Sequence, residues 1–335
     1  MRAWKFAFAV LCAIISVGGI RAQDAPPTAP TPIATVDAGD FRALTISANG
    51  RWMMVADAAT SRLRIYDLDT ETPTLVVSPE LDGIPLDAAA IGQAVLIAVD
   101  TGGRAGLAQI VAPIDYDRDQ PFAPVNWIDL SDRPRSVSAS PDGAWAVIVG
   151  SSGYTLFETL SPEDVNSTFY PTPVSDAALL NDTVFLADRN SPRIMTATIE
   201  SGGQASINRS VTIDLPALAE RLALNLSGTL GAAALEDGSI ALFDPESGEV
   251  ISMIETGAAA DLHFLSFEGG EWLIVLSDDR QNVTLIDVSD PANAGEIGAL
   301  DLPAETSTIQ AITTYGSFIY VADRSTVRIF QASQP

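Results

Sequence analysis

The stretch "DYDRD" sets three carboxylates, Asp115, Asp117 and Asp119, at alternate positions of an irregular segment. That spacing lets oxygen ligands converge on one hard cation such as Ca²⁺. Two residues depart from a calcium-loop pattern: Gln120 stands where such a loop turns on Gly, and the twelfth position is Asn126 rather than a bidentate Glu. A solvated acidic insertion accounts for the same residues. The only imidazole, His263, sits in "DLHFLSF", and the only thiol is Cys12. One His and one Cys exclude a zinc site that draws on several such ligands. A Ser-His-Asp arrangement around His263 stays open, but no G-x-S-x-G segment accompanies it. A packed, hydrogen-bonded strand histidine is the simpler reading. Calcium is therefore the one cofactor these residues suggest; nothing signals a nucleotide, haem or flavin.

Two further sets of acids recur along the chain. Asp57, Asp100, Asp188, Asp237, Asp278 and Asp323 each follow a strongly apolar run. An Asp in that place ordinarily accepts hydrogen bonds from the N–H groups of the turn it opens. The second set, Asp40, Asp82, Asp132, Asp176, Glu220, Asp261 and Glu305, lies within a few residues of the start of another apolar segment in each unit. If both sets emerge on one rim, that rim is an acidic face suited to cations or cationic ligands, or to solubility alone.

The elements that would position these residues come from an internal repeat. Seven units begin near Phe41, Ile84, Arg135, Ser175, Arg221, Asp261 and Thr308, about 40 to 51 residues apart. Each has a short apolar segment, a turn, a strongly apolar second segment and a third: "WMMVAD" then "RLRIYDL", "WLIVLSD" then "VTLIDVS", "IYVAD" then "TVRIF". The runs are short, rich in Val, Ile, Leu and aromatics, and bounded by Gly, Asn, Asp and Pro, which are strand and turn signals. "SANG" (Ser47 to Gly50) and "SPDG" (Ser140 to Gly143) fill the same slot in units 1 and 3 and supply the positive-φ residue a tight turn needs. Only "PALAERLAL" (Pro216 to Leu224) looks mildly helical, which a loop turn explains. The period matches four-stranded blades, so the expected fold is all-β: a seven-bladed β-propeller. Unit 7 ends at Phe330 one strand short, and "IATVDAG" (Ile33 to Gly39) is an orphan strand before unit 1. Pairing the two completes the last blade and removes an open edge. Val55, Val147, Val149, Leu186, Ile274 and Val321 then form the core between blades.

"SPDGAWAVIV" and "VADRSTVRIF" resemble the bacterial YVTN and WD40-like propellers, a resemblance that spans residues 33–331. "VTLIDVSDPANAGEIG" (residues 283–298) resembles the LVIVD repeat of bacterial surface-associated proteins. These resemblances imply a fold rather than an activity, since related propellers include both binding modules and enzymes such as lactonases. There is no Gly-His pair and no Trp-Asp dipeptide of the usual WD40 pattern.

Arg2 and Lys5, the apolar run Phe6 to Ile20 and the small residue Ala22 read as a secretory signal peptide over residues 1–22, with a retained anchor as the alternative. Residues 23–32, "QDAPPTAPTP", are a Pro/Ala/Thr-rich linker, and 332–335 a short tail. Cleavage after Ala22 would take the net charge from −25 to −28 and remove the only lysine and the only cysteine. Such acidity excludes a nucleic-acid partner, because a phosphate backbone needs a basic footprint. The expected protein is a secreted, periplasmic or cell-surface monomer. Its partner is a protein or small molecule, bound without chemistry; a lactonase-like hydrolase or lyase using channel-mouth carboxylates is the alternative.

Overall fold

The computed structural model describes residues 30–332 except 38, 71, 92–93, 104–105, 112–123, 162–163, 201–203, 207–211 and 269. Asp115, Asp117 and Asp119 and the signal segment lie outside these residues. The described residues form seven antiparallel sheets in chain order, a seven-bladed β-propeller without α-helices. Among the described residues no helix is long and apolar enough to cross a membrane.

Blades 1 to 3 run Phe41–Ile46, Trp52–Asp57, Arg62–Asp67, Thr74–Val77; Ile84–Ile91, Ala94–Asp100, Leu107–Val111, Pro124–Asp129; and Pro134–Ala139, Trp145–Gly150, Tyr154–Ser161, Asp164–Tyr170. Blade 4 has Val174–Leu180, Thr183–Asp188 and Arg193–Glu200, with both Gln204–Ser206 and Thr212–Asp214 on its outer edge. Blades 5 and 6 are Ala219–Leu224, Gly231–Leu235, Ser239–Phe243, Val250–Glu255, and Ala259–Phe267, Gly270–Ser277, Val283–Asp287, Gly295–Ala299. Blade 7 takes Ala311–Tyr315, Phe318–Ala322 and Thr326–Gln331 from the end of the chain and Pro32–Asp37 from its start. Ala34 faces Ile329, Val36 faces Val327 and Asp37 faces Thr326, so the orphan strand closes the ring as its strand count implies, beginning one residue earlier than Ile33.

The second strands make the core. Val55, Val147, Leu186, Ile274 and Val321 have no exposed surface and Val149 has 1%. They pack in clusters that each bridge two neighbouring blades; Met54 and Ala56 of blade 1, for example, meet Val95, Ile97 and Val99 of blade 2. Both faces of each blade are buried in this way, which is why the runs are continuously apolar rather than alternating. At the two expected tight turns, Gly50 (φ 72°) and Gly143 (φ 70°) supply the positive φ, and Ser47 and Ser140 Oγ accept the N–H of Trp52 and Trp145 at 3.0 Å. The mildly helical stretch is not a loop turn: Ala219–Leu224 is the innermost strand of blade 5. There the buried Ala219 and Leu222 pack between blades while Arg221 reaches the axis.

Candidate functional site

The first strand of each blade runs beside the propeller axis, and its free edge faces a channel with a cavity of about 770 Å³. An unpaired edge offers backbone N–H and C=O groups that need partners. In blades 1 to 6 this strand carries one extra residue near its start, shifting register between Phe41 and Ala43, Pro85 and Asp87, Pro134 and Ser136, Val174 and Ala177, Ala219 and Arg221, and Ala259 and Asp261. A bulge re-aims a side chain. Here it coincides with a charged residue that lines the channel: Arg42, Asp87, Arg135, Asp176, Arg221 and Asp261 in blade order. Positive and negative alternate through six blades. Seven is odd, so strict alternation cannot close, and blade 7 supplies the neutral Gln310 between Asp261 and Arg42. Each charge thereby avoids a like neighbour in the adjoining blades.

Two of the three carboxylates, Asp87 and Asp176, fasten neighbouring blades through their open edges. Asp87 Oδ2 accepts the N–H of Val137 in blade 3 at 2.7 Å, and its Oδ1 accepts that of Ala88 at 2.9 Å. Asp176 Oδ2 accepts from Leu222 N in blade 5 at 3.0 Å and its Oδ1 from Ser136 Oγ in blade 3 at 3.0 Å. Asp261 Oδ1 accepts from Leu262 N at 2.9 Å, and its Oδ2 meets His263 Nε2 at 3.3 Å. Burial pushes the Asp87 carboxyl up to about 7, with Asp261 and Asp176 adding repulsion that its two N–H donors only partly offset. Burial likewise raises Asp176, against the pull of Arg221. For Asp261 burial acts upward too, but His263, Arg221 and the Leu262 N–H together outweigh it and the carboxyl stays below its ordinary value. His263 answers in kind: burial opposes its charge, Asp261 with Asp87 and Asp176 outweighs burial, and the imidazole is held above its ordinary value.

Two arginines of the channel lining, Arg221 and Arg280, are held differently from most of the others. Arg51, Arg62, Arg64, Arg133, Arg193 and Arg328 each pair with a carboxylate of a turn or strand end. Arg42 pairs with Asp40 at 3.5 Å and reaches Gln310. Arg221 instead donates to the carbonyls of Ala260 (2.6 Å) and Glu220 (2.8 Å), and Arg280, from a turn of blade 6, to that of Gln310 (2.7 Å).

Of the seven acids at unit starts, Asp176 and Asp261 enter the channel. Asp132 instead accepts from Ser151 Oγ, both Ser152 groups and Arg133 N. Asp40 pairs with Arg42, and Asp82, Glu220 and Glu305 are exposed. Asp87, the four arginines and Gln310 complete the site. Their signal is a charged or amide residue near the start of every first strand, blurred by bulges that move it between two adjacent positions. The strand-end set follows its turn chemistry: Asp57, Asp100, Asp188, Asp237 and Asp323 each accept a turn N–H. In blade 6 that task falls to Asp279, which accepts from Gln281 N, and not to Asp278. Among the described residues no three His, Cys, Asp or Glu side chains are gathered closely enough to hold a metal ion.

Fold and site together define a seven-bladed propeller whose channel mouth carries a ring of alternating charge. Compared with known proteins, the chain matches no family model and none of the curated proteins.

Proposed function

We propose that this chain is an exported, non-enzymatic binding module that receives a small polar ligand at the mouth of its axial channel. The observation that carries the reading is the charged ring. Asp87, Asp176 and Arg221 are held by backbone groups of the neighbouring strands and Arg135 is not paired with a described carboxylate, so these charges are available to a guest and need no rearrangement to meet one. The cavity also falls in the size range of small-molecule sites and combines convergent polar groups with apolar walls such as Leu44, Val137 and Leu222. The leader-like residues 1–22 support export to the periplasm, cell surface or medium, and calcium on Asp115, Asp117 and Asp119 belongs to this reading as its one metal. A screen of small charged and polar compounds by thermal shift tests it, using wild type beside Ser138→Trp and Ala89→Phe, two changes that fill the channel. Ligands that stabilise wild type and are lost from either folded plugged variant support the site; ligands unaffected by plugging place binding elsewhere.

The Asp261–His263 contact favours a second reading, a hydrolase in which Asp261 orients the ring and His263 moves a proton. Within the described residues the imidazole hydrogen-bonds Asp261 and no serine hydroxyl. Turnover of lactone or ester substrates that disappears in His263→Gln would establish this reading in place of the first.

A further inference from the structure

We propose that the channel mouth is an anion-docking site, with the Arg135 guanidinium making the direct contact to a carboxylate or phosphate group on the ligand. This rests on the binding-module reading and names the chemistry that would satisfy it. The chain has 43 acids to 18 basic residues, and most of its described arginines find a carboxylate; the channel lining collects three that do not, Arg135, Arg221 and Arg280. Arg135 lines the cavity and makes no hydrogen bond or ion pair with a described residue. Its neighbours in the ring, Asp87 and Asp176, turn their oxygens to Val137 N, Ala88 N, Leu222 N and Ser136 Oγ instead.

The surrounding cations reinforce the point. Arg221 and Arg280, in the same lining, and Arg189 nearby are pinned by carbonyl oxygens: Ala260 and Glu220, Gln310 and Ile309, and Ser151 and Val174 respectively. A carbonyl fixes a guanidinium without cancelling its charge. Arg135 therefore sits in a field made more positive by Arg189 and Arg221, with Asp176 the opposing charge; burial and the two arginines together lower its proton affinity. The exposed turn residue Arg324 also lacks a carboxylate, but it lies outside the lining. A planar guanidinium with free donors, exposed at the channel wall, matches the forked geometry of a carboxylate or phosphate.

The probes are sodium acetate and inorganic phosphate, each measured against sodium chloride at equal ionic strength by thermal melts and calorimetry, with methylammonium chloride as the cationic counterpart. At least one anion should bind wild type beyond the chloride control, and whichever binds tighter names the class. Arg135→Gln should weaken it at least tenfold, Arg135→Lys should retain part of the affinity, and Arg51→Gln, on a paired surface arginine, should leave it unchanged. Equal anion binding in wild type and Arg135→Gln overturns the proposal, as does no binding of either anion. Binding of methylammonium or neutral compounds in the channel, with both anions ignored, overturns it while leaving the binding module standing. Phosphate binding that survives Ser138→Trp and Arg135→Gln alike would mark an adventitious surface site and also count against it.

Discussion

Asp323→Ala removes one half of the most buried ion pair among the described residues. The Asp323 and Arg328 side chains retain only 2% and 7% of their exposure and meet at 2.7 Å. Asp323 Oδ1 also accepts the N–H groups of Ser325 (2.8 Å) and Thr326 (2.9 Å). Burial alone would raise this carboxyl, but Arg328 and the turn N–H groups outweigh it and hold the pKa below 3.8. Taking away the acid strands a buried guanidinium, which costs about 3–5 kcal/mol. The exposed side of the turn can rehydrate its N–H groups, so the figure should not exceed that range. Adding Arg328→Met removes the stranded charge while keeping apolar contact, and the double variant should recover at least ~1 kcal/mol of the loss. Urea unfolding at pH 7 reads both. Because the folded pKa is depressed, the stabilisation is complete above the unfolded value near 3.8 and fades as pH falls through the folded one; the gap between wild type and Asp323→Ala should narrow there. A cost below ~1 kcal/mol at pH 7, or a double variant worse than Asp323→Ala alone, would refute the assignment.

Three other outcomes are expected. A chain starting at residue 40 lacks the strand Pro32–Asp37 and should melt far lower and aggregate, whereas a chain starting at residue 30 should behave as one starting at 23; equal melts would disprove closure. Stability should fall as pH rises from about 4 to 7 through Asp87, whose folded pKa is raised to about 7, and fall further above 6.5 through His263, whose folded pKa is also raised. His263→Gln should abolish the second decline and keep the first, so identical profiles would remove His263 from the ring's electrostatics. If the spacing of Asp115, Asp117 and Asp119 holds calcium, millimolar Ca²⁺ raises the melting temperature of metal-stripped protein beyond a sodium chloride control of equal ionic strength, and an equal melt discards it.

Much of the fold was legible because its signals are redundant. Seven apolar second strands, each closed by turn chemistry, repeat often enough to count, and one missing strand against one spare dictates closure. The site was legible only in part, since residue type carries it less than placement does. Asp176 and Asp261 stand out as acids at unit starts, but Asp87 follows Pro85 and Leu86 in a strand whose bulge lies one register pair later, so it falls out of line. Arginines and aspartates that alternate between blades read along the chain as ordinary surface charge. Only the closed ring makes them neighbours. Blade 5 misled for a related reason: in "AERLAL" the polar Glu220 and Arg221 come at the bulge, where two consecutive residues leave the strand's alternation and mimic a helical face.

The most direct measurement of the central claim is an anomalous difference map from crystals of the protein grown with selenate, a heavy stand-in for phosphate, and with 4-iodobenzoate, a carboxylate. The account predicts that one of them gives a peak at the channel mouth, with an anion oxygen within hydrogen-bonding distance of Arg135 and the group lying between blades 3 and 5. Peaks confined to the outer blades or to exposed turn arginines such as Arg324, with an empty mouth in both crystals, would contradict it.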